Sequence, residues 1–287
     1  MSEYILVIDE GTTSTRAVLF AADGTAVDSC QRPLTQHYQQ PGLVEHDAEE
    51  IWNLTLACAQ AMVTKAGGAN RIASIGITNQ RETIVFWDKR TGKPLAPAIV
   101  WQDRRTADIC AAMKAKGEEP VLQAKTGLLL DPYFSGSKIG WALENWPQLK
   151  DAGANLAVGT VESYLVYRLT GGSHISDASN AARTALMAIG SGGWDDGLMD
   201  LFGVPRDILP EITDCAGDLG KTLPEHFGGA IRISGMAGTN KPQPSGKVAL
   251  PLGRPRRPSA LAPLCSRKPA RHCASRVTAC CRRYCIN

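Results

Sequence analysis

The sequence predicts an α/β fold built around a mixed sheet, followed by a tail of a different character. Three observations carry this reading. The chain opens with a β-meander and not with a strand–loop–helix unit. Strand-like and helix-like segments then intermingle up to about residue 238. From Thr239 onward both the periodicity and the acidic residues vanish.

Residues 4–9 form a β-rich apolar run that ends in a carboxylate, and 11–15 follow as a polar turn. Residues 16–20 read as a second strand, with Asp23 and Gly24 as a hairpin turn before a third at 25–27. Asp47 caps a helix, with Glu50 three residues on as in a capping box; Ile51, Leu54, Cys58, Met62 and Lys65 follow at helical spacing. Residues 72–78 read as a buried strand, and 83–87 and 98–101 as two more, joined by a turn at 91–94. Helices are expected over 104–116, 138–149 and 161–169, and a short one over 195–202 ahead of Pro205. Residues 231–234 are the last strand, followed by a Gly-Met-Ala-Gly turn at 235–238.

The 287 residues suffice for one large or two smaller domains, and 44% hydrophobic against 21% charged residues allows a sizeable core. The net charge of +3 hides an asymmetry. Residues 239–287 hold 11 of the 31 Lys and Arg and no Asp or Glu, which leaves 20 basic against 28 acidic residues in 1–238. Cysteine follows the same break: Cys30, Cys58, Cys110 and Cys215 are scattered as reduced thiols of a cytosolic protein would be, whereas Cys265, Cys273, Cys280, Cys281 and Cys285 crowd the end. Residues 242–269 hold seven prolines, so the tail is expected to be disordered. A basic arm seeking nucleic acid or membrane has this composition. So has a segment never selected as protein. The apolar run at 5–8 is too short for a signal peptide or a membrane span, and the body is expected to be cytoplasmic.

Chemistry concentrates in three stretches. In Ile8-Asp-Glu-Gly-Thr-Thr-Ser-Thr-Arg16 a glycine turn can aim backbone N–H groups at an anion, hydroxyls add donors and Arg16 adds charge, while Asp9 can hold a Mg²⁺ shell through water. It is no P-loop, since Gly-Lys-Ser/Thr is missing, and a plain polar hairpin turn fits the same residues. In 76–83 a buried strand runs into Arg81 and Glu82, which suit a polyol: the carboxylate accepts hydroxyl protons and the guanidinium donates to hydroxyl oxygens. A solvated loop has the same look. Trp101 offers an apolar wall and Tyr133 a further donor, although Trp101 also fits a core position and 131–138 a Pro-nucleated helix start. The histidines show no metal-ligand spacing, and no Cys-x-x-Cys or serine nucleophile elbow occurs.

Taken together, Asp9-Glu-Gly-Thr-Thr-Ser-Thr-Arg16, Pro41-Gly-Leu-Val-Glu-His-Asp47, Gly76-Ile-Thr-Asn-Gln-Arg-Glu-Thr83, Ile99-Val-Trp-Gln-Asp-Arg-Arg-Thr106, Asp131-Pro-Tyr-Phe-Ser-Gly-Ser-Lys138, Gly159-Thr-Val161 and Asp177-Ala-Ser-Asn-Ala-Ala-Arg-Thr184 resemble the glycerol kinases, within the FGGY carbohydrate kinases of the actin and hexokinase type. The resemblance runs from about residue 4 to 238 and implies a ribonuclease H-like domain. It implies ATP-dependent phosphorylation of glycerol to glycerol 3-phosphate. Arg81, Glu82, Trp101 and Tyr133 would hold glycerol; Thr12, Thr13, Ser14 and Arg16 would face the ATP phosphates, with Asp9 near Mg²⁺. Glu10 departs from the Gln that many members carry. The intact family form can be a homo-oligomer; neither nucleic acid nor a membrane span is implied.

The same resemblance places the base for the attacking hydroxyl directly after Gly-x-Ala-Gly, as Asp in Gly-Asp-Gln-Gln-Ala. Here that position is Thr239, which cannot act as a base near pH 7. Deleting the first base of GAC-CAA-CAA-GCC-GCA gives ACC-AAC-AAG-CCG-CA, which encodes Thr-Asn-Lys-Pro and then Gln or His, as at 239–243. The expectation is therefore a kinase domain over 1–238 and an out-of-frame tail over 239–287. The family's adenosine-binding second domain would be missing, and this chain inactive as written. Alternatives are a non-catalytic polyol-binding fragment, a related pentulose kinase, against which Arg81 and Glu82 argue, and last a nucleic-acid binder using the tail.

Overall fold

A computed structural model describes residues 3–239. The expected disorder of the tail falls on residues 240–287, which lie outside those described. The meander is present and longer than expected, as β1 (Tyr4–Glu10), β2 (Ser14–Ala21) and β3 (Ala26–Pro33). After the short β4 (Glu45–His46) comes α1 (Ala48–Ala66), then β5 (Ile72–Asn79), β6 (Ile84–Asp88) and β7 (Ala98–Ile99). Four helices follow: α2 (Ala107–Ala115), α3 (Glu119–Thr126), α4 (Ser135–Asn145) and α5 (Pro147–Ala152). Next come β8 (Leu156–Thr160), α6 (Val161–Thr170), β9 (Ile175–Asp177), α7 (Ala178–Ala181), and the paired β10 (Met187–Ala188) and β11 (Gly193–Trp194). The chain continues through α8 (Asp196–Phe202), β12 (Glu211–Thr213), α9 (Pro224–Phe227) and β13 (Ile233–Gly238).

The main sheet has the order β13-β5-β1-β2-β3. β1, β2 and β3 pair antiparallel, whereas β1, β5 and β13 run parallel. Parallel register aligns three carboxyl ends: Asp9, Thr78 and Ala237 form one row, and Glu10, Asn79 and Gly238 the next. In open sheets of this type the crevice beyond the carboxyl ends is where ligands bind.

The second sheet, β4-β7-β6-β8, divides two cores. Val85 and Trp87 of β6 join Leu6, Ile8, Ile51, Ile75, Ile77 and Tyr164 under the main sheet, while Ile84 and Phe86 join Ile99, Ile139, Val158 and Met199 on the other side. Burial on both faces explains why 83–87 is a continuous apolar run with no polar alternation.

Local departures have local causes. Asp47 does cap α1, accepting from the Glu49 N–H at 2.9 Å, but no capping box closes because Glu50 turns to the Thr35 hydroxyl at 2.8 Å. α2 starts at 107 and not 104 because Arg104 N–H donates to the Gly42 carbonyl and Arg105 N–H to the Asp103 carboxylate. The helix expected over 138–149 is two helices: Trp146 is extended (φ −111°, ψ 95°), as the residue before Pro147 must be. The Gly-Met-Ala-Gly segment is not a turn; it is the end of β13, paired with 76–79 of β5.

Candidate functional site

The β1–β2 hairpin is closed by Gly11 N–H donating to the Ser14 carbonyl at 3.0 Å. The glycine's own N–H is thus spent on the turn, and Thr12 and Thr13 stand at its tip. Strict antiparallel register sets Asp9 opposite Arg16 and Glu10 opposite Thr15. Each pair makes a bond: Arg16 donates to Asp9 at 2.6 Å, partly exposed, and the buried Thr15 hydroxyl donates to Glu10 at 2.6 Å. Ser14 Oγ accepts from Gln31 on β3 at 2.8 Å. Glu10 is fully buried with Thr55 as its second donor; burial, opposed by the two threonines, pushes its carboxyl up to about 8.

Beyond β5 the chain turns sharply at Glu82, whose φ of 65° is rare for a residue with a long side chain. The Ser135 hydroxyl at the start of α4 donates to the Glu82 carbonyl at 3.2 Å. The Glu82 carboxylate is buried and accepts from Arg183 Nε at 2.5 Å. Arg183 in turn lies over the rings of Tyr133 (5.6 Å) and Phe134 (4.8 Å). Tyr133 meets Trp101 edge-on with ring centroids 5.4 Å apart. The Trp101 indole N–H donates to Thr12 Oγ1 at 2.9 Å, so the aromatic wall reaches the hairpin tip. Behind it, the fully buried Lys138 ammonium donates to the Tyr133 carbonyl at 2.8 Å, and burial brings it down to about 7.

The third side is the end of β13. A side chain at Gly238 would meet Arg81, since an added Cβ would sit 2.3 Å from Arg81 Cδ. Gly238 N–H donates to Ser179 Oγ at 2.9 Å, and the Ser179 hydroxyl donates to Asp177. Both the N–H and the hydroxyl of Thr239 donate to the Asn79 carbonyl, at 3.0 and 2.8 Å. The Asn79 side chain joins Glu162 (2.8 Å) and Asn180 (3.1 Å), and Asn180 reaches Asp177 at 2.7 Å. Glu162 is buried, and burial followed by the charge of Asp177 raises it to about 7. This network fixes the backbone to which Thr239 is attached.

The structure thus gathers Arg81, Glu82, Trp101, Tyr133 and Thr12 at one strand-end crevice beside Thr239. Asp9 and Arg16 are joined to each other on the hairpin's strands, with Ser14 held toward β3. Sequence reasoning missed Arg183, although the run 177–184 had been singled out. A buried carboxylate needs a paired cation, and that requirement was the available signal. It also missed the Glu162–Asn79–Asn180–Asp177 chain, in which Asn79 is 83 residues from Glu162 and 101 from Asn180. Among the described residues no group of three His, Cys, Asp or Glu is placed to hold a metal, and no helix is long and apolar enough to cross a membrane.

Residues 4–240 match the family model for the N-terminal domain of the FGGY carbohydrate kinases. The chain is 50% identical over 257 residues to a glycerol kinase of Xanthobacter autotrophicus, covering 88% of this chain and 52% of that one. It is 52% identical over 242 residues to glycerol kinase 1 of Pseudomonas aeruginosa, covering 83% and 49%. The crystal structure of Plasmodium falciparum glycerol kinase with ADP superposes with a TM-score of 0.78 at 33% identity, over 83% of this chain and 49% of that one. A xylulose kinase of Rhodospirillum rubrum superposes with a TM-score of 0.75 at 26% identity, over 82% and 49%. The fold is therefore the ribonuclease H-like mixed sheet expected, and the chain spans about half the length of the relatives it matches.

Proposed function

Because the chain belongs to the FGGY family of carbohydrate kinases, we propose that residues 1–238 are the substrate-binding half of an ATP-dependent glycerol kinase. The observation that carries this is the run of contacts at the strand ends, from Thr12 through Trp101 and Tyr133 to Arg183 and Glu82, with Arg81 against Gly238. The buried Glu82 carboxylate and the guanidinium of Arg81 orient the hydroxyls of a small polyol, and Trp101 and Tyr133 cover its carbon backbone. Thr12, Thr13, Ser14 and Arg16 face the phosphates of ATP. Mg²⁺, when bound, neutralises phosphate charge. The Asp9 carboxylate is partly exposed and already paired with Arg16, which fits contact through water. Soluble cytoplasmic residence, and self-association in the intact family form, go with this reading.

Phosphoryl transfer needs a group to take the proton of the attacking hydroxyl. Thr239 stands at that place, and its hydroxyl donates to Asn79 instead. Loss of the base alone costs about 10²–10⁴-fold in rate. We propose that 239–287 is read out of frame and that the chain as written is inactive. Sequencing the coding DNA across codons 235–245 tests this. One additional base restores Asp at 239; an unchanged sequence makes the break a property of the gene and the chain a real truncation. Glycerol-dependent ADP release by the purified chain, lost in Glu82→Ala, would overturn the inactivity. Glycerol titration followed by Trp fluorescence tests the binding half-site independently: saturable quenching that Glu82→Ala weakens at least about tenfold supports it, and no response in the folded parent sinks it. A response to xylulose but not glycerol would favour the pentulose reading.

A further inference from the structure

Two thiols with no part in this crevice lie against each other. Cys30 is on β3, the edge strand of the main sheet, and Cys58 is in the middle of α1 beneath it. Their sulfurs are 3.2 Å apart, both cysteines are free, and 28 residues separate them. Cys58 is completely buried in the main core, whereas Cys30 is only partly covered. Cys30 is therefore the more accessible residue of the two, and the two sulfurs already touch. Burial, followed by the contact with Cys30, pushes the Cys58 thiol up to about 12, with Arg32 opposing, which keeps Cys58 protonated until it meets an oxidised partner sulfur.

We propose that Cys30 and Cys58 form an oxidisable dithiol that takes hydroperoxides as its two-electron oxidant. The Cys30 thiolate attacks a peroxide oxygen; an S–O bond forms, the O–O bond breaks, and hydroxide leaves as water after taking a proton. Cys30 is then a sulfenic acid. The Cys58 sulfur attacks the Cys30 sulfur, the S–S bond forms, the S–O bond breaks, and the Cys58 proton leaves with the oxygen as a second water. Two thiols and one hydrogen peroxide become one disulfide and two waters. Contact between the sulfurs favours this closure over further oxidation of Cys30 by a second peroxide. The bond fastens β3, an edge strand that is otherwise exposed along most of its length, to α1. It needs none of the kinase residues and stands apart from the functional reading above.

The test uses the full chain, reduced and then given one equivalent of hydrogen peroxide, alkylated and mapped by non-reducing peptide mass spectrometry. The five cysteines beyond residue 260 are replaced by Ser in a parallel sample, so that exchange with them is separable. The expected result is a Cys30–Cys58 crosslink in both samples, reversed by dithiothreitol, with Cys110 and Cys215 still alkylated. Cys58→Ser should leave Cys30 trapped by dimedone as sulfenic acid, and Cys30→Ser should abolish reaction at Cys58. The oxidised parent should melt higher than the reduced one by roughly 5 °C, a difference absent from Cys58→Ser. Sulfinic acid at Cys30 in the parent, or crosslinks to other cysteines in preference to Cys58, would overturn the proposal. So would a Cys30 that stays reduced while Cys110 or Cys215 oxidises.

Discussion

Glu82 combines a left-handed backbone, a buried carboxylate and an arginine partner brought from residue 183. Such a conformation costs on the order of 1–3 kcal/mol, and the Ser135 hydroxyl and the Arg183 guanidinium hold it in place. Glu10 is another buried carboxyl, held between the hairpin and α1, and its surroundings are opposite in kind: two hydroxyl donors, no cation, and an Oε1 without a hydrogen-bond partner. Below its ordinary value of 4.5 both folded and unfolded chains carry the proton; between 4.5 and about 8 only the folded chain does. Stability from this group is therefore fully present at low pH and is lost as pH rises across that window. Glu10→Gln keeps an acceptor for Thr15 and Thr55 and removes the titration. The variant should gain stability over the parent as pH rises from 5 to 8, reaching on the order of 3 kcal/mol in denaturant melts. A parent-to-variant difference that does not change with pH would refute the assignment. Taking the difference cancels the buried His46 and His174, whose values burial lowers to about 4 and which act in the opposite sense.

At the scale of elements, β13 and β5 close the crevice by an approach that only glycine allows. Gly238→Ala must displace Arg81, whose Cγ and Cδ occupy the space of a Cβ. The displaced atoms belong to a flexible side chain, so the expected outcome is glycerol binding weakened about tenfold with the melting temperature within ~2 °C of the parent. A large fall in melting temperature would mean that the strand end itself had moved. The loop between β7 and α2 is held differently. Arg105, 4% exposed, donates to Asp103 and Glu45 and lies 4.7 Å from the Trp141 ring centroid, and Asp103 also accepts from Val44 N–H. Arg105→Ala leaves two buried carboxylates without a cation and should cost about 3–5 kcal/mol. Arg105→Lys should recover only part, because one ammonium cannot reproduce a planar fork bonded to two carboxylates. A loss below ~1 kcal/mol in Arg105→Ala would show that water replaces the pair.

For the molecule as a whole, the meander, α1 and the two-faced β6 were legible because each depends on neighbours in sequence or on burial that leaves an apolar run, whereas the glycine-rich end of β13, expected as a turn, is a strand only because β5 lies beside it. The motifs named Arg81, Glu82, Trp101 and Tyr133 as one set and Thr12 as part of another, and nothing in their spacing set Trp101 against Thr12. α3 and β8 went unread: α3 carries charges with few apolar positions, and β8 is a short run ahead of an apolar helix. If 1–238 is an independent domain, a chain ended at 239 should unfold in one cooperative transition at the melting temperature of the full chain. A second transition lost on shortening would refute that boundary.

Residue order alone determined the fold class, the hairpin that sets Asp9 opposite Arg16, the charge break near Thr239 and the family to which 4–240 belongs. These follow from period, register and motif, which are properties of a line. Only the tertiary structure decided that Arg183 neutralises Glu82, that Asn79 and Asp177 anchor the end of β13, and that Cys30 touches Cys58. The sequence separations are 101, 160, 59 and 28 residues, for Arg183–Glu82, Thr239–Asn79, Gly238–Ser179 and Cys58–Cys30. Contacts across such distances are set by how sheets and helices stack, and stacking is fixed by the burial of the whole core and not by any local pattern.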